Sequence, residues 1–131
     1  MFVSGGSIKA ATRKSAEKNN SRSVERYDTW TDSWVTMPDL LEGRDRHSSC
    51  CAGQILFVFC GVRVVDDTSL SSIEQLDLAK TELGWTLIEL PVLPARMSLG
   101  AATLDDNYIL ILGGKNRGYS ITQLNDVWVY C

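Results

Sequence analysis

The sequence predicts an all-β chain of short strands arranged in a repeat of about fifty residues. Three observations lead there. Apolar runs rich in β-branched or aromatic residues end in glycine at Phe2-Val3-Ser4-Gly5-Gly6, at Ile55 to Gly61 and at Tyr108 to Gly114. Their last glycines recur at near-constant intervals, 55 residues from Gly6 to Gly61 and 53 from Gly61 to Gly114. Each is followed, past a polar loop, by a second short strand-like run, and in two of the three units a tryptophan comes next.

Taken in order, Phe2 to Gly6 is the first strand, closed by a glycine pair that can adopt positive φ. A polar, basic loop from Ser7 to Ser23 leads to Val24-Glu25-Arg26-Tyr27-Asp28, whose alternation predicts a strand with one buried face. A turn over Thr29 to Ser33 precedes the strand Trp34-Val35-Thr36-Met37, which Pro38 terminates. Ser48 to Ala52 leads into the second glycine-ended strand. After the loop Val62 to Ser72 come Ile73-Glu74-Gln75-Leu76-Asp77 and then Trp85-Thr86-Leu87-Ile88, with Pro91 and Pro94 beyond. Ser98 to Leu104 leads into the third glycine-ended strand. The loop Lys115 to Asn125 and the run Val127 to Tyr130 complete the series.

The order of double glycine, an apolar-x-x-Tyr-Asp strand, a later Trp and then an Arg resembles that of kelch repeats over nearly the whole chain. Gly5, Gly6, Tyr27, Asp28, Trp34 and Arg46 carry it in the first unit, Asp77, Trp85 and Arg96 in the middle one, and Gly113, Gly114 and Tyr130 in the last. The middle unit departs from the pattern twice, with Cys60 in place of the first glycine before Gly61 and Leu76 in place of the tyrosine. The resemblance implies a kelch-type β-propeller of the galactose-oxidase-like superfamily. Independently of it, a glycine pair after a buried strand allows close backbone approach, and Tyr27 and Trp34 are bulky enough to fill the wedge between radially arranged sheets. An antiparallel sandwich would also show many short strands, but not the repeated Gly and Trp positions.

Counting strands gives a partial propeller, one complete four-stranded blade flanked by two incomplete blades. The expected divisions are an incomplete blade over 1–46 with its basic loop 7–23, a complete blade over 47–96 and an incomplete C-terminal blade over 97–131. Such a chain is expected to be a fragment of a longer kelch protein or to complete its blades by association through open sheet edges.

Composition narrows the function classes. The chain has 131 residues, 44% hydrophobic and 22% charged, with a net charge of -3. That is an ordinary globular balance without global attraction to nucleic acid or an anionic membrane. Lys and Arg do cluster between Lys9 and Arg26, but Glu17 and Glu25 dilute them and no aromatic is interleaved before Tyr27, so a solvated loop is expected there rather than a nucleic-acid site. The longest apolar run falls short of the roughly 20 residues of a spanning helix, and the N-terminus does not read as a secretory signal. An intracellular, cytoplasmic location is the expectation. Cys50, Cys51, Cys60 and Cys131 lack the paired spacing of a zinc site and read as buried free thiols, with Cys50 and Cys51 on opposite faces of a strand.

The chemistry-bearing residues point away from catalysis. His47 is the one histidine, next to Ser48, Ser49 and Cys50, and no orienting carboxylate is specified except Asp45. The run Gly113-Gly114-Lys115-Asn116-Arg117-Gly118 matches neither nucleotide-loop fingerprint. Some kelch-like propellers are copper oxidases with tyrosine, histidine and cysteine ligands, a set that one histidine cannot supply. No catalytic residue, metal or cofactor is expected. The resemblance implies ligand binding by loops between the second and third strands and between blades. Candidate contacts are Arg44, Arg46, His47, Arg63, Arg96, Lys115, Arg117 and Tyr119, with a protein partner and in particular an acidic peptide segment in view. Arg46 and Arg96 also match a family position with a structural reading. Two functions are carried forward: a non-catalytic protein-protein interaction scaffold, and an accessory propeller of an enzyme whose catalytic residues lie elsewhere.

Overall fold

A computed structural model describes residues 1–6, 22–63, 66–105, 107–117, 121–124 and 126–130. Fifteen strands occur among them: β1 (Phe2–Ser4), β2 (Val24–Asp28), β3 (Ser33–Met37), β4 (Arg44–Asp45), β5 (Ser48–Ala52), β6 (Ile55–Phe59), β7 (Val62–Arg63), β8 (Thr68–Ser69), β9 (Ile73–Asp77), β10 (Thr86–Ile88), β11 (Gly100–Asp105), β12 (Tyr108–Leu112), β13 (Lys115–Arg117), β14 (Ile121–Gln123) and β15 (Val127–Tyr130). The one helical element among the described residues is a 3-10 turn over Thr81–Leu83.

Three antiparallel sheets carry the repeat. Their strand orders are β1-β2-β3, β10-β9-β6-β5 and β11-β12-β15. The architecture is therefore a partial kelch-type propeller of one four-stranded sheet between two three-stranded ones. The pairings Ser4↔Val24, Phe59↔Ile73 and Leu112↔Val127 place the three units in a common register. By that register β5 and β11 are equivalent first strands. Direct bonds link them: the amide of Ala101 donates to Ser48 Oγ at 2.9 Å and Thr103 Oγ1 donates to the Cys51 carbonyl at 2.5 Å.

The glycine ends are where the sequence departure finds its physical account. Gly5, Cys60 and Gly113 share one station, with φ of 63°, 57° and 55°, and Gly6, Gly61 and Gly114 share the next at 102°, 93° and 104°. Cys60 thus holds the left-handed conformation usual for glycine, at some backbone cost. At the second station close contact adds to the backbone demand in two units: a Cβ on Gly61 would lie 2.5 Å from the Asp45 carbonyl oxygen and one on Gly114 2.9 Å from that of Met97, whereas one on Gly6 would meet nothing within 4 Å.

Alternation along β6 divides the core in two. Leu56 and Val58 face the first sheet, in a cluster with Val24, Met37, Leu40, Leu76 and Trp85. Phe57 and Phe59 face the third, with Ile73, Leu93, Ile109 and Ile111. A fully buried side chain of this size contributes roughly 1.5–3 kcal/mol, so these two layers dominate the stacking of the sheets. The bulky residues fill the wedges unevenly. Trp85 is buried and its Nε1 donates to the Pro38 carbonyl at 2.8 Å, and Tyr130 meets Phe57 edge-on at 5.8 Å between ring centroids. Tyr27 and Trp34 pack on each other at 5.3 Å, but Trp34 stays 49% exposed. Contrary to expectation it fills no wedge here, because no described sheet lies against its face.

The loops expected at 62–72 and 115–125 contain short strands of their own. The sheet β4-β7-β8 folds the segment after Gly61 back onto the segment after β3, and β13-β14 forms a hairpin after Gly114. Part of that hairpin's turn, including Tyr119, lies outside the described residues, as does most of the basic loop 7–23.

Candidate interaction loops

The eight candidate contact residues do not form one set. Arg44 and Arg96 are fully buried. Arg44 donates from one terminal nitrogen to the carbonyls of Cys60 (2.9 Å) and Ser72 (3.2 Å), and from the other to Ser72 Oγ (3.3 Å) and Glu74 Oε1 (2.6 Å). Glu74, itself buried, also accepts from the amides of Leu41 (2.6 Å) and Glu42 (3.1 Å). Arg96 repeats the arrangement one unit on. It donates to the Gly113 carbonyl (2.9 Å), the counterpart of Cys60, and binds the Asp126 carboxylate through two nitrogens at 2.8 and 3.0 Å. Its Nε donates to the Pro94 carbonyl at 3.1 Å.

Each of these arginines therefore ties an inter-blade loop to the glycine end of the following unit, and neither offers its guanidinium to a ligand. The backbone confirms the equivalence, since Gly6 N donates to the Arg44 carbonyl and Gly61 N to the Arg96 carbonyl, both at 2.9 Å. Arg44, not Arg46, is thus the partner of Arg96 in the repeat. The counterpart of Arg46 is Ser98. Both have positive φ, 51° and 54°, and they meet directly where Ser98 N donates to the Arg46 carbonyl at 2.8 Å.

Arg46, Arg63 and Lys115 lie nearer the surface. The Arg46 side chain is half exposed, with Nε 3.9 Å from Asp45 and one terminal nitrogen 3.6 Å from the Met97 sulfur. Lys115 is exposed, and it exchanges backbone bonds of 2.8 Å with Met97. Met97 so brings Arg46 and Lys115 to one region. Arg63 stands opposite Arg44 in the β4–β7 pair, but Glu42 and Asp66 already hold it. The Glu42 carboxylate beside it raises its pKa further. Arg117 lies on β13, with its side chain outside the described residues.

His47 is half-buried between the glycine ends of the first two units. Its Nε2 is 3.0 Å from Ser4 Oγ, and a Cβ on either Gly5 or Gly61 would run into it. Burial, aided by the positive charge of Arg44, pulls its pKa below the usual histidine value. Its observed hydroxyl partner is thus Ser4 rather than a neighbour on its own strand. Of the cysteines, Cys60 is buried, with its thiol pushed up to about 11 by that burial, whereas Cys50 is half-buried and Cys51 exposed, contrary to the expectation of uniform burial. Alternation along β5 does put Cys50 and Cys51 on opposite faces. Cys131 lies outside the described residues. No group of metal-ligating side chains occurs among the described residues, and none of their helices is long and apolar enough to cross a membrane.

Sequence reasoning missed Glu74 and Asp126, the carboxylates that complete the two arginine clamps. The signal was an acidic residue at the start of the third strand in one unit and just before it in the other.

The Kelch motif profile matches residues 1–41. Kelch domain-containing protein 3 of Rattus norvegicus and that of Mus musculus are each 29% identical to the chain over 109 residues, which is 80% of this chain, and the Homo sapiens protein is 29% identical over the same length. The chain is thus similar to kelch-repeat proteins over most of its length. It spans 28% of the length of these curated relatives. Within the kelch pattern, Cys60 keeps the backbone of the glycine it replaces, and Leu76 takes the tyrosine's place in the core.

Proposed function

We propose that this kelch chain is a non-catalytic scaffold for protein-protein interaction, part of a larger propeller, with blade divisions after residues 46 and 96. It binds its partner through the loops at the glycine ends. The observation that carries this reading is the contrast between two classes of arginine. Arg44 and Arg96 are consumed in internal clamps that make the loop bases rigid, while Arg46 and Lys115 stand at the surface above them. Rigid loop bases with accessible cationic tips suit recognition of an acidic peptide segment.

Arg63 plays a lesser part, since its guanidinium is already neutralised by Glu42 and Asp66. Arg44 and Arg96 leave the contact set, and His47 serves mainly to support the backbone between two units. A cytoplasmic location belongs to this reading, and it is supported by the unpaired thiols of Cys50, Cys51 and Cys60, which a reducing compartment favours.

An array of Glu- and Asp-rich peptides, probed with the wild-type chain and with Arg46→Ala and Lys115→Ala, tests this. Binding should weaken several-fold in each variant and fall with added salt. Equal binding by wild type and both variants would refute the assignment of these two residues.

A further inference from the structure

We propose that Trp30, on the turn between β2 and β3, anchors a docking site for an arginine-bearing segment of another protein. The turn lies at the end of the sheets opposite the glycine loops, so the inference is independent of the acidic-peptide reading above. β2 and β3 pair as far as Asp28↔Ser33, and Trp30 stands beyond that last pair, 94% exposed. The exposure belongs to the station and not to the chain's end. Val24 and Ile73 hold equivalent places, so Asp28 corresponds to Asp77 and Trp30 to Ala79. The middle sheet is flanked on both faces, yet Ala79 and Lys80 on its turn are exposed and Leu83 is 75% exposed. Neighbouring sheets therefore leave this turn in solvent.

Local bonds fix the turn that carries the indole. Asp28 Oδ1 accepts from the amides of Trp30 (2.9 Å) and Thr31 (3.4 Å), the Thr31 and Ser33 hydroxyls meet at 2.7 Å, and the Tyr27 hydroxyl donates to Asp32. The middle unit repeats the first of these bonds, from the Ala79 amide to Asp77 Oδ1 at 2.9 Å, with only a methyl group at that station. Closing the turn thus requires no tryptophan, and the Trp30 indole belongs to neither core cluster. A large aromatic presented on an ordered backbone loses little freedom on binding, and tryptophan is among the residue types that dominate protein contacts.

Charge selects the occupant. Asp28 and Asp32 flank Trp30, and Asp77, Glu82 and Asp105 stand at the same end of the other two sheets. Against them are Arg26, 3.8 Å from Asp28, and Lys80. Arg46 and Lys115 sit at the glycine end, so the two ends of the sheets differ in sign. An acidic rim around an indole repels an anionic ligand and attracts a cationic one. A guanidinium can stack on the ring face while its edge meets a carboxylate, a combination that the compact ammonium of lysine matches less well. The occupant is therefore a polypeptide segment whose arginine lies over Trp30 with its guanidinium edge toward Asp32 or Asp28.

The probe is a fluorescein-labelled peptide, Gly-Ser-Arg-Ser-Arg-Ser-Gly, titrated with the 131-residue chain and followed by anisotropy. Saturable binding is expected, weakened about tenfold by Trp30→Ala, which should leave the urea midpoint unchanged because the side chain lies in solvent. Asp32→Asn keeps a residue suited to the positive φ of 50° there and should weaken binding several-fold, as should added salt. A peptide with lysine in place of arginine should bind more weakly. In nuclear magnetic resonance titrations the Trp30 indole N–H signal should move with added peptide while those of Trp34, Trp85 and Trp128 move little. The proposal is overturned by absence of saturation, by equal affinity of either variant or of the lysine peptide, or by shifts centred away from Trp30. Self-association that moves the Trp30 signal without peptide and blocks the peptide would also overturn it, making a second copy of the chain the occupant.

Discussion

At the scale of single residues, the arginine pair Arg44 and Arg46 shows how two steps along a chain separate structure from surface. Arg44 is paired with Glu74 where both are out of water, so removing one partner leaves a buried, uncompensated charge. Arg44→Met should therefore cost about 3–5 kcal/mol in urea-unfolding free energy, and adding Glu74→Leu should recover much of it. Arg46→Ala should change stability by less than about 0.5 kcal/mol, because its side chain is half in solvent. Equal effects at the two positions would contradict the clamp. His47 adds a pH dependence. Its folded pKa lies below the unfolded value of 6.5, so the unfolded chain takes up its proton first. Its contribution is fully present above pH 6.5 and is lost as pH falls from there through the lower folded pKa. Melting temperatures measured between pH 7.5 and 5.5 should fall in the wild type and fall less in His47→Gln, which retains a partner for Ser4.

Among the strands, the equivalent tryptophans have different work. Trp85 seals the layer between the first two sheets, and Trp34, at the matching station, is half exposed. Trp85→Ala should destabilise by about 3–5 kcal/mol and Trp34→Ala by under about 1 kcal/mol, compared by chemical denaturation. The long strands were legible in the sequence because a glycine end marks β1 and β12 and alternation marks β2 and β9, all on the expected residues. The short strands β4, β7 and β8 were not. Two-residue strands leave no periodicity to read, and they exist because the chain after Gly61 returns beside Arg44–Asp45. The clamp carboxylates were hidden for a related reason. Glu74 reads as the polar face of an alternating strand, and only the packing of the loop 41–44 over it reveals a buried ion pair.

For the molecule as a whole, the repeat interval and the order of glycine, tyrosine and tryptophan pointed to successive kelch-like sheets, and the three antiparallel sheets follow that repeat. The repeat did not align the two arginines correctly, since the loops after Pro38 and Pro91 differ in length and the first offers arginines at both 44 and 46. Nor did it show which wedge each aromatic fills, a property of neighbouring sheets rather than of one unit. The central claim is that successive units stack face to face, with β6 covered on both sides. Nuclear Overhauser contacts test it most directly: the Trp85 indole protons should contact methyls of Val24, Leu40 and Val58, and the Phe57 ring should contact the Tyr130 ring. Finding the Trp85 indole without contacts to Val24 and Leu40, and Phe57 without contacts to the third sheet, would contradict the stacked-blade account.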